Sequence, residues 1–158
     1  MTRTDYAKLA VALIVPQATG ALGTIFTTPA LADWYDTINR PSLVPPDWVF
    51  GVVWPTLFFL MGIAAFLVWR KGLSAPFVRI ALSVFLFQLV LNMLWSYLFF
   101  GIKSLGGAAI EVMVLWAAIL ATIVLFARVS RTAAWLLVPY LLWVSFATYL
   151  NVSIYFLN

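Results

Sequence analysis

Apolar residues in this chain fall in long unbroken blocks, without the one-sided stripe of a soluble helix or the alternation of a half-buried strand. Five blocks reach the roughly 20 residues needed to cross about 30 Å of hydrocarbon: Tyr6–Phe26, Trp48–Trp69, Phe77–Phe100, Leu105–Ala127 and Thr132–Phe156. Each is predicted to be helical, because a lone strand in lipid leaves its backbone N–H and C=O groups unpaired, and the two-residue period of a barrel is missing. The expected fold class is all-α, a five-transmembrane-helix bundle forming one domain over residues 1–158. No small-residue cleavage site follows the first block, so that block is predicted to remain a membrane helix.

The connections differ in length. Those around Arg70–Pro76, Gly101–Ser104 and Arg128–Arg131 are short, whereas Thr27–Asp47 is long and carries Trp34, Tyr35, Pro41, Pro45 and Pro46. Such a loop is stiff and aromatic, and long loops in compact proteins tend to carry function. It is predicted to be an ordered lid over one end of the bundle. With an odd number of spans, Arg3, Lys8, Arg70, Lys71, Arg79, Arg128 and Arg131 gather on one side, leaving Arg40 and Lys103 on the other. The positive-inside bias therefore places the amino terminus in the cytoplasm and the long loop and carboxyl terminus outside. Five spans with no internal repeat do not form the two matched halves of many secondary transporters.

Composition agrees with a membrane solvent. The 158 residues are 65% hydrophobic and 9% charged, against about 45–50% and about 25% in soluble domains. There is no Cys and no His, which removes disulfides, thiolate nucleophiles and the usual zinc or axial haem ligands, so no metal is expected. The net charge of +4 comes from residues scattered along the segment ends, with no basic stripe of the kind that binds nucleic acid. Phosphate loops and nucleophile–base pairs are also missing from the sequence.

Trp and Tyr ordinarily anchor membrane helices at the interfaces. Trp54, Trp95 and Trp143 lie too deep in their spans for that role, and a buried indole N–H requires a partner. Gln88, Asn92 and Asn151 are the candidates, so these residues are expected to wall an aromatic cavity with a few polar contacts. Gln88 and Asn92 share a helix face, with Trp95 three residues further on; interhelical hydrogen bonding and ligand contact both fit that spacing. Glu111 is the one acid inside a predicted span, open to a structural, interfacial or functional role. Pro16 with Gly20 and Gly23 predicts a kink and close helix approach in the first span, and Ala117/Ala121 offers a second small-residue seam.

The run Trp34-Tyr35-Asp36-x-x-x-Arg40-Pro41-x-x-x-Pro45-Pro46-Asp47-Trp48-Val49-Phe50, followed by Trp54, resembles the signature of the TspO/MBR family. That family comprises tryptophan-rich sensory proteins, with the translocator protein (peripheral benzodiazepine receptor) as its mitochondrial member. The resemblance continues through Gln88-Leu89-x-Leu91-Asn92-x-x-Trp95-Ser96, Phe99-Phe100-Gly101 and Pro139-Tyr140-x-x-Trp143-x-x-Phe146-Ala147-x-x-Leu150-Asn151, covering nearly the whole chain. It implies a five-helix bundle, often a homodimer, that binds protoporphyrin IX or related tetrapyrroles and synthetic isoquinoline or benzodiazepine ligands.

The resemblance further implies a sensor or regulator, of bacterial type, with light- and oxygen-dependent porphyrin degradation in some members; the alternative is a transporter of porphyrin, lipid or sterol. Family pocket positions fall on Tyr35, Pro45, Trp54, Phe58, Asn92, Trp95, Trp143 and Ala147, to which the polar reading adds Gln88. Trp54 and Trp143 are the pair expected to take part in porphyrin chemistry. A flat metal-free macrocycle suits aromatic walls and a chain without His. No Lys or Arg follows Tyr149 near the end of the fifth span, so the proposed sterol motif is incomplete and sterol binding is not carried over.

The absence of native cysteine makes the topology directly testable. Single cysteines placed within Thr27–Asp47 are expected to react with a membrane-impermeant maleimide from outside intact cells, and labelling only after lysis would reverse the orientation.

Overall fold

The breaks between apolar blocks become helix ends with recognisable local chemistry. In the computed structural model, which describes residues 2–158, α1 spans Arg3–Asp33, α2 Asp47–Trp69, α3 Pro76–Ser96, α4 Leu105–Ala127 and α5 Arg131–Leu157. A capping box opens α1: Thr2 Oγ1 accepts from the Asp5 N–H, and the Asp5 carboxylate accepts from the Thr2 N–H at 2.9 Å. Pro76 at the start of α3 supplies a preset φ, and Ser130 caps α5 by accepting from the Ala133 N–H. All five helices, α3 together with a following π-turn at Tyr97–Gly101, are long and apolar enough to cross a membrane.

The first helix departs from expectation. It continues beyond Phe26 to Asp33, so the connection is residues 34–46, shorter than predicted. Pro29 sits inside the helix and removes one backbone bond without ending it. Tertiary contact outweighs that loss: Ala30 is buried, Leu31 packs on the cluster around Tyr35 and Phe99, and Thr27 returns its hydroxyl to the Gly23 carbonyl at 3.1 Å. The remaining loop is ordered as expected. Its 3₁₀ turn Tyr35–Thr37 lies against the bundle, and Asn39 pairs with Asn158 through bonds of 2.9 Å in both directions.

The helices form a ring in the order α1, α2, α5, α4, α3, with α3 closing back on α1. At the end where α2 finishes and α3 begins, the ring is filled solid: Met61, Val68, Phe126 and Leu137 are fully buried, and Phe85 stacks on Phe126 at 5.7 Å. The opposite end, beneath the loop, encloses a cavity. Helix α1 joins the ring through a stripe of small buried residues, Ala12, Pro16, Gly23 and Ala30, which lets backbones approach closely where no hydrophobic effect separates protein from lipid.

Gly62 of α2 marks the tightest point. A Cβ there would meet the Ala12 carbonyl oxygen at 2.7 Å and Leu13 Cα at 2.9 Å. That carbonyl lacks its helical donor because residue 16 is Pro, so Pro16 and Gly62 together create the seat. Ala117 and Ala121, by contrast, are exposed on α4 and make no seam within the chain.

Replacing Gly62 by Leu is expected to destabilise the protein by about 1–3 kcal/mol through overpacking against rigid backbone, measured as unfolding in detergent. Gly51→Ala, where no neighbouring atom lies within 4 Å of the added carbon, is expected to stay within about 1 kcal/mol of the parent, the propensity gain for Ala in a helix.

Candidate functional site

Four helices and the loop converge on a cavity of about 560 Å³, within the roughly 300–1,000 Å³ typical of small-molecule sites. Its walls are chiefly aromatic. On α2, Trp54 stacks on Phe58 with ring centroids 5.6 Å apart, and Trp54 meets Tyr140 of α5 edge-on at 6.4 Å. Phe58 can swing toward α1 only because residue 20 is Gly: a Cβ there would stand 2.3 Å from the Phe58 ring. Phe50 packs edge-on against Trp143 at 5.6 Å.

The far wall depends on an irregularity that helical periodicity does not reveal. After Ser96 the third span winds into a π-turn closed by the Ile102 N–H donating to the Tyr97 carbonyl at 2.9 Å. The wider turn brings two consecutive aromatics to the wall: Trp95 stacks on Phe99 at 5.5 Å, and Phe99 contacts Phe100 at 4.8 Å. Such turns commonly occur at functional sites. Tyr35 of the loop closes this end against Phe99 and Phe100, beneath the Arg40 guanidinium, 4.6 Å from its ring centre, which Asp36 holds at 2.8 Å. Burial pushes the Tyr35 phenol above its ordinary range, with Arg40 opposing, so the hydroxyl stays protonated.

Of the residues singled out from sequence, Tyr35, Trp54, Phe58, Asn92, Trp95, Trp143 and Ala147 come together around this cavity. Gln88 and Pro45 do not line it. Gln88 lies behind the wall, fully buried, and Pro45 remains half-buried in the loop. The expected indole partners are also redistributed. Trp95 donates to Asn151 at 3.0 Å, whereas Asn92 and Gln88 are bridged by Tyr140: the Asn92 amide donates to the Tyr140 hydroxyl at 3.0 Å, and that hydroxyl donates to Gln88 Oε1 at 2.9 Å. Gln88 is therefore interhelical glue, while Asn92 both glues and faces the cavity.

The Trp143 N–H is buried and, among the described residues, has no acceptor. On the neighbouring helix Gly51 also lines the cavity, and its carbonyl lacks a helical donor because residue 55 is Pro. The wall thus offers an unused side-chain donor, the Trp143 N–H. Glu111 is 6% exposed with neither oxygen bonded. It does not line the cavity, and its burial removes the interfacial reading. Tyr140, Phe99 and Gly20 were not recognised as site-forming; for Tyr140 the available signal was a phenol hydroxyl well inside a span, which requires a partner. Flat aromatic surfaces with an unused donor suit holding and orienting a rigid ring system.

Comparison with known proteins shows the family. The sequence profile of the TspO/MBR family matches residues 12–157. The chain is 44% identical over 141 residues to the tryptophan-rich protein TspO of Chlorobaculum tepidum, covering 89% of each chain. It is 38% identical over 149 residues to protein CrtK of Rhodobacter capsulatus, covering 94% of this chain and 91% of that one. With the human translocator protein it shares 40% identity over 124 residues, 77% of this chain and 73% of the relative.

Two substitutions test the buried polar groups. Tyr140→Phe leaves Asn92 and Gln88 without their bridge and is expected to cost about 1–3 kcal/mol, whereas Glu111→Leu removes an unsatisfied buried carboxyl and is expected to stabilise by a similar amount. Unfolding in detergent measures both.

Proposed function

The chain belongs to the TspO/MBR family, and on that premise we propose that its cavity binds a protoporphyrin-type tetrapyrrole and that the protein is a membrane sensor or regulator of such pigments. The observation that carries this reading is the meeting of Trp54, Trp95 and Trp143 in one cavity whose Trp143 N–H is unused. A protoporphyrin presents a broad flat face to aromatic walls, together with carboxylates at its edge that accept hydrogen bonds. The edge carboxylates suit the unused donor at Trp143. Synthetic isoquinoline or benzodiazepine compounds, which pair flat rings with polar atoms, suit the same walls.

Light-dependent degradation needs no acid–base dyad. The bound pigment absorbs the light, dioxygen is the oxidant, and Trp54 and Trp143 are oxidisable neighbours; the protein's part is positioning. The solid packing of Met61, Phe85 and Phe126 below the cavity weighs against a carrier that opens to both sides. In this reading the basic flank of the bundle faces the cytoplasm and the cavity lies toward the outer side.

Titration of the purified protein with protoporphyrin IX in the dark, then under illumination in air, tests the proposal. Wild type is expected to bind saturably at micromolar or tighter concentration and to bleach the pigment. Trp143→Phe, which removes the donor, is expected to weaken binding about tenfold, the worth of about 1.4 kcal/mol, and Trp54→Phe to lose the light-driven spectral change. Saturable binding without bleaching would leave a sensor; no binding would overturn the proposal.

A further inference from the structure

Helices α1 and α2 touch firmly on one side of a boundary and part on the other. Below it, Gly62 sits against the Ala12 and Leu13 backbone. At the boundary, the Gln17 side-chain amide donates across to the Pro55 carbonyl at 3.0 Å. Above it, an added Cβ at Gly51 would meet nothing within 4 Å. Ala21, Thr24 and Thr28 on α1, with Gly51 and Pro55 on α2, line the cavity and are exposed. These residues border an open space between the two helices.

The position of this gap determines what it faces. Gly51 and Pro55 are four and eight residues into α2, so at about 1.5 Å per residue they lie about 6–12 Å along the helix from its start. That depth falls within the outer part of a hydrocarbon layer about 30 Å thick. At the rim, Thr24 returns its hydroxyl to the Ala21 carbonyl at 2.6 Å, and Thr27, which also lines the cavity, returns its own to Gly23. Threonines bonded in this way to their own helix do not require water.

Toward water the loop covers part of the cavity. Tyr35 is buried under Arg40 and against Phe99 and Phe100, and the following loop is stitched at Asn39 to the end of α5 through Asn158 and the Leu157 carbonyl. We infer that the cavity takes up its ligand sideways from the bilayer, through a window between the outer halves of α1 and α2. The inference rests on the cavity's being a ligand site. It adds a selection: a ligand must first dissolve in the membrane, and its concentration there, rather than in water, sets the rate of uptake.

The test uses the whole protein in phosphatidylcholine vesicles, with protoporphyrin IX already partitioned into the lipid and uptake followed by stopped-flow fluorescence. Gly51→Phe, which places a ring in the open gap, is expected to slow association at least tenfold. A lid locked by a disulfide between Asn39→Cys and Asn158→Cys is expected to leave the rate within twofold of the same variant reduced. Slowing by the locked lid without slowing by Gly51→Phe would assign uptake to the aqueous side and overturn the inference.

A nitroxide attached at Gly51→Cys supplies an arm independent of pigment. Relaxation by dioxygen exceeding that by a water-soluble nickel chelate is expected, and the reverse would overturn the window. Failure of the wild type to bind pigment would instead overturn the ligand reading, while the nitroxide still reports what the gap faces.

Discussion

Contact between Gly62 and the backbone of α1 sets where the first two helices meet, and so where they part. Lipid tails are as apolar as the side chains they would replace, so helices in a bilayer associate through close packing and hydrogen bonds rather than by expulsion of water. A glycine facing a carbonyl freed by Pro16 provides such packing. Beyond that contact α1 packs on α3, the π-turn and the loop, through Gly23 beside Ser96 and Leu31 beside the Tyr35 cluster, rather than on the start of α2.

The same solvent explains the polar pattern around the cavity. Unpaired polar groups in hydrocarbon are costly, and most of the deep ones here are matched: Trp95 with Asn151, and Asn92 and Gln88 through Tyr140. Against that background the unused Trp143 N–H stands out as a group available to a ligand. Glu111 is equally unpaired but lies outside the wall, so under the proposed function the two orphan groups have different consequences, one for recognition and one for stability. Aromatic stacking across α2, the π-turn and α5 holds the walls in place without further polar groups.

Much of the fold was legible along the chain because the bilayer imposes a length and a composition on every span. The block Leu105–Ala127 matches α4 at both ends, and the deep tryptophans, wrong for interface anchors, do meet in one cavity. The end of α1 was misread because Thr27, Thr28 and Pro29 look locally like a helix stop, whereas packing of Ala30 and Leu31 keeps the helix going. Gln88 was placed with the ligand contacts since it shares a face with Asn92, yet one turn of helix moves it behind the wall and into the reach of Tyr140.

The sequence by itself determined that this protein is a bundle of five membrane helices, because burying the backbone in lipid allows little else, and its motifs showed which aromatic residues to watch. Tertiary structure decided which of those residues face the same space, which polar groups already have partners, and where α1 and α2 separate. Those outcomes depend on distances between side chains far apart in the chain, such as Gly20 beneath Phe58 and Gln17 across to Pro55, and no local pattern encodes them.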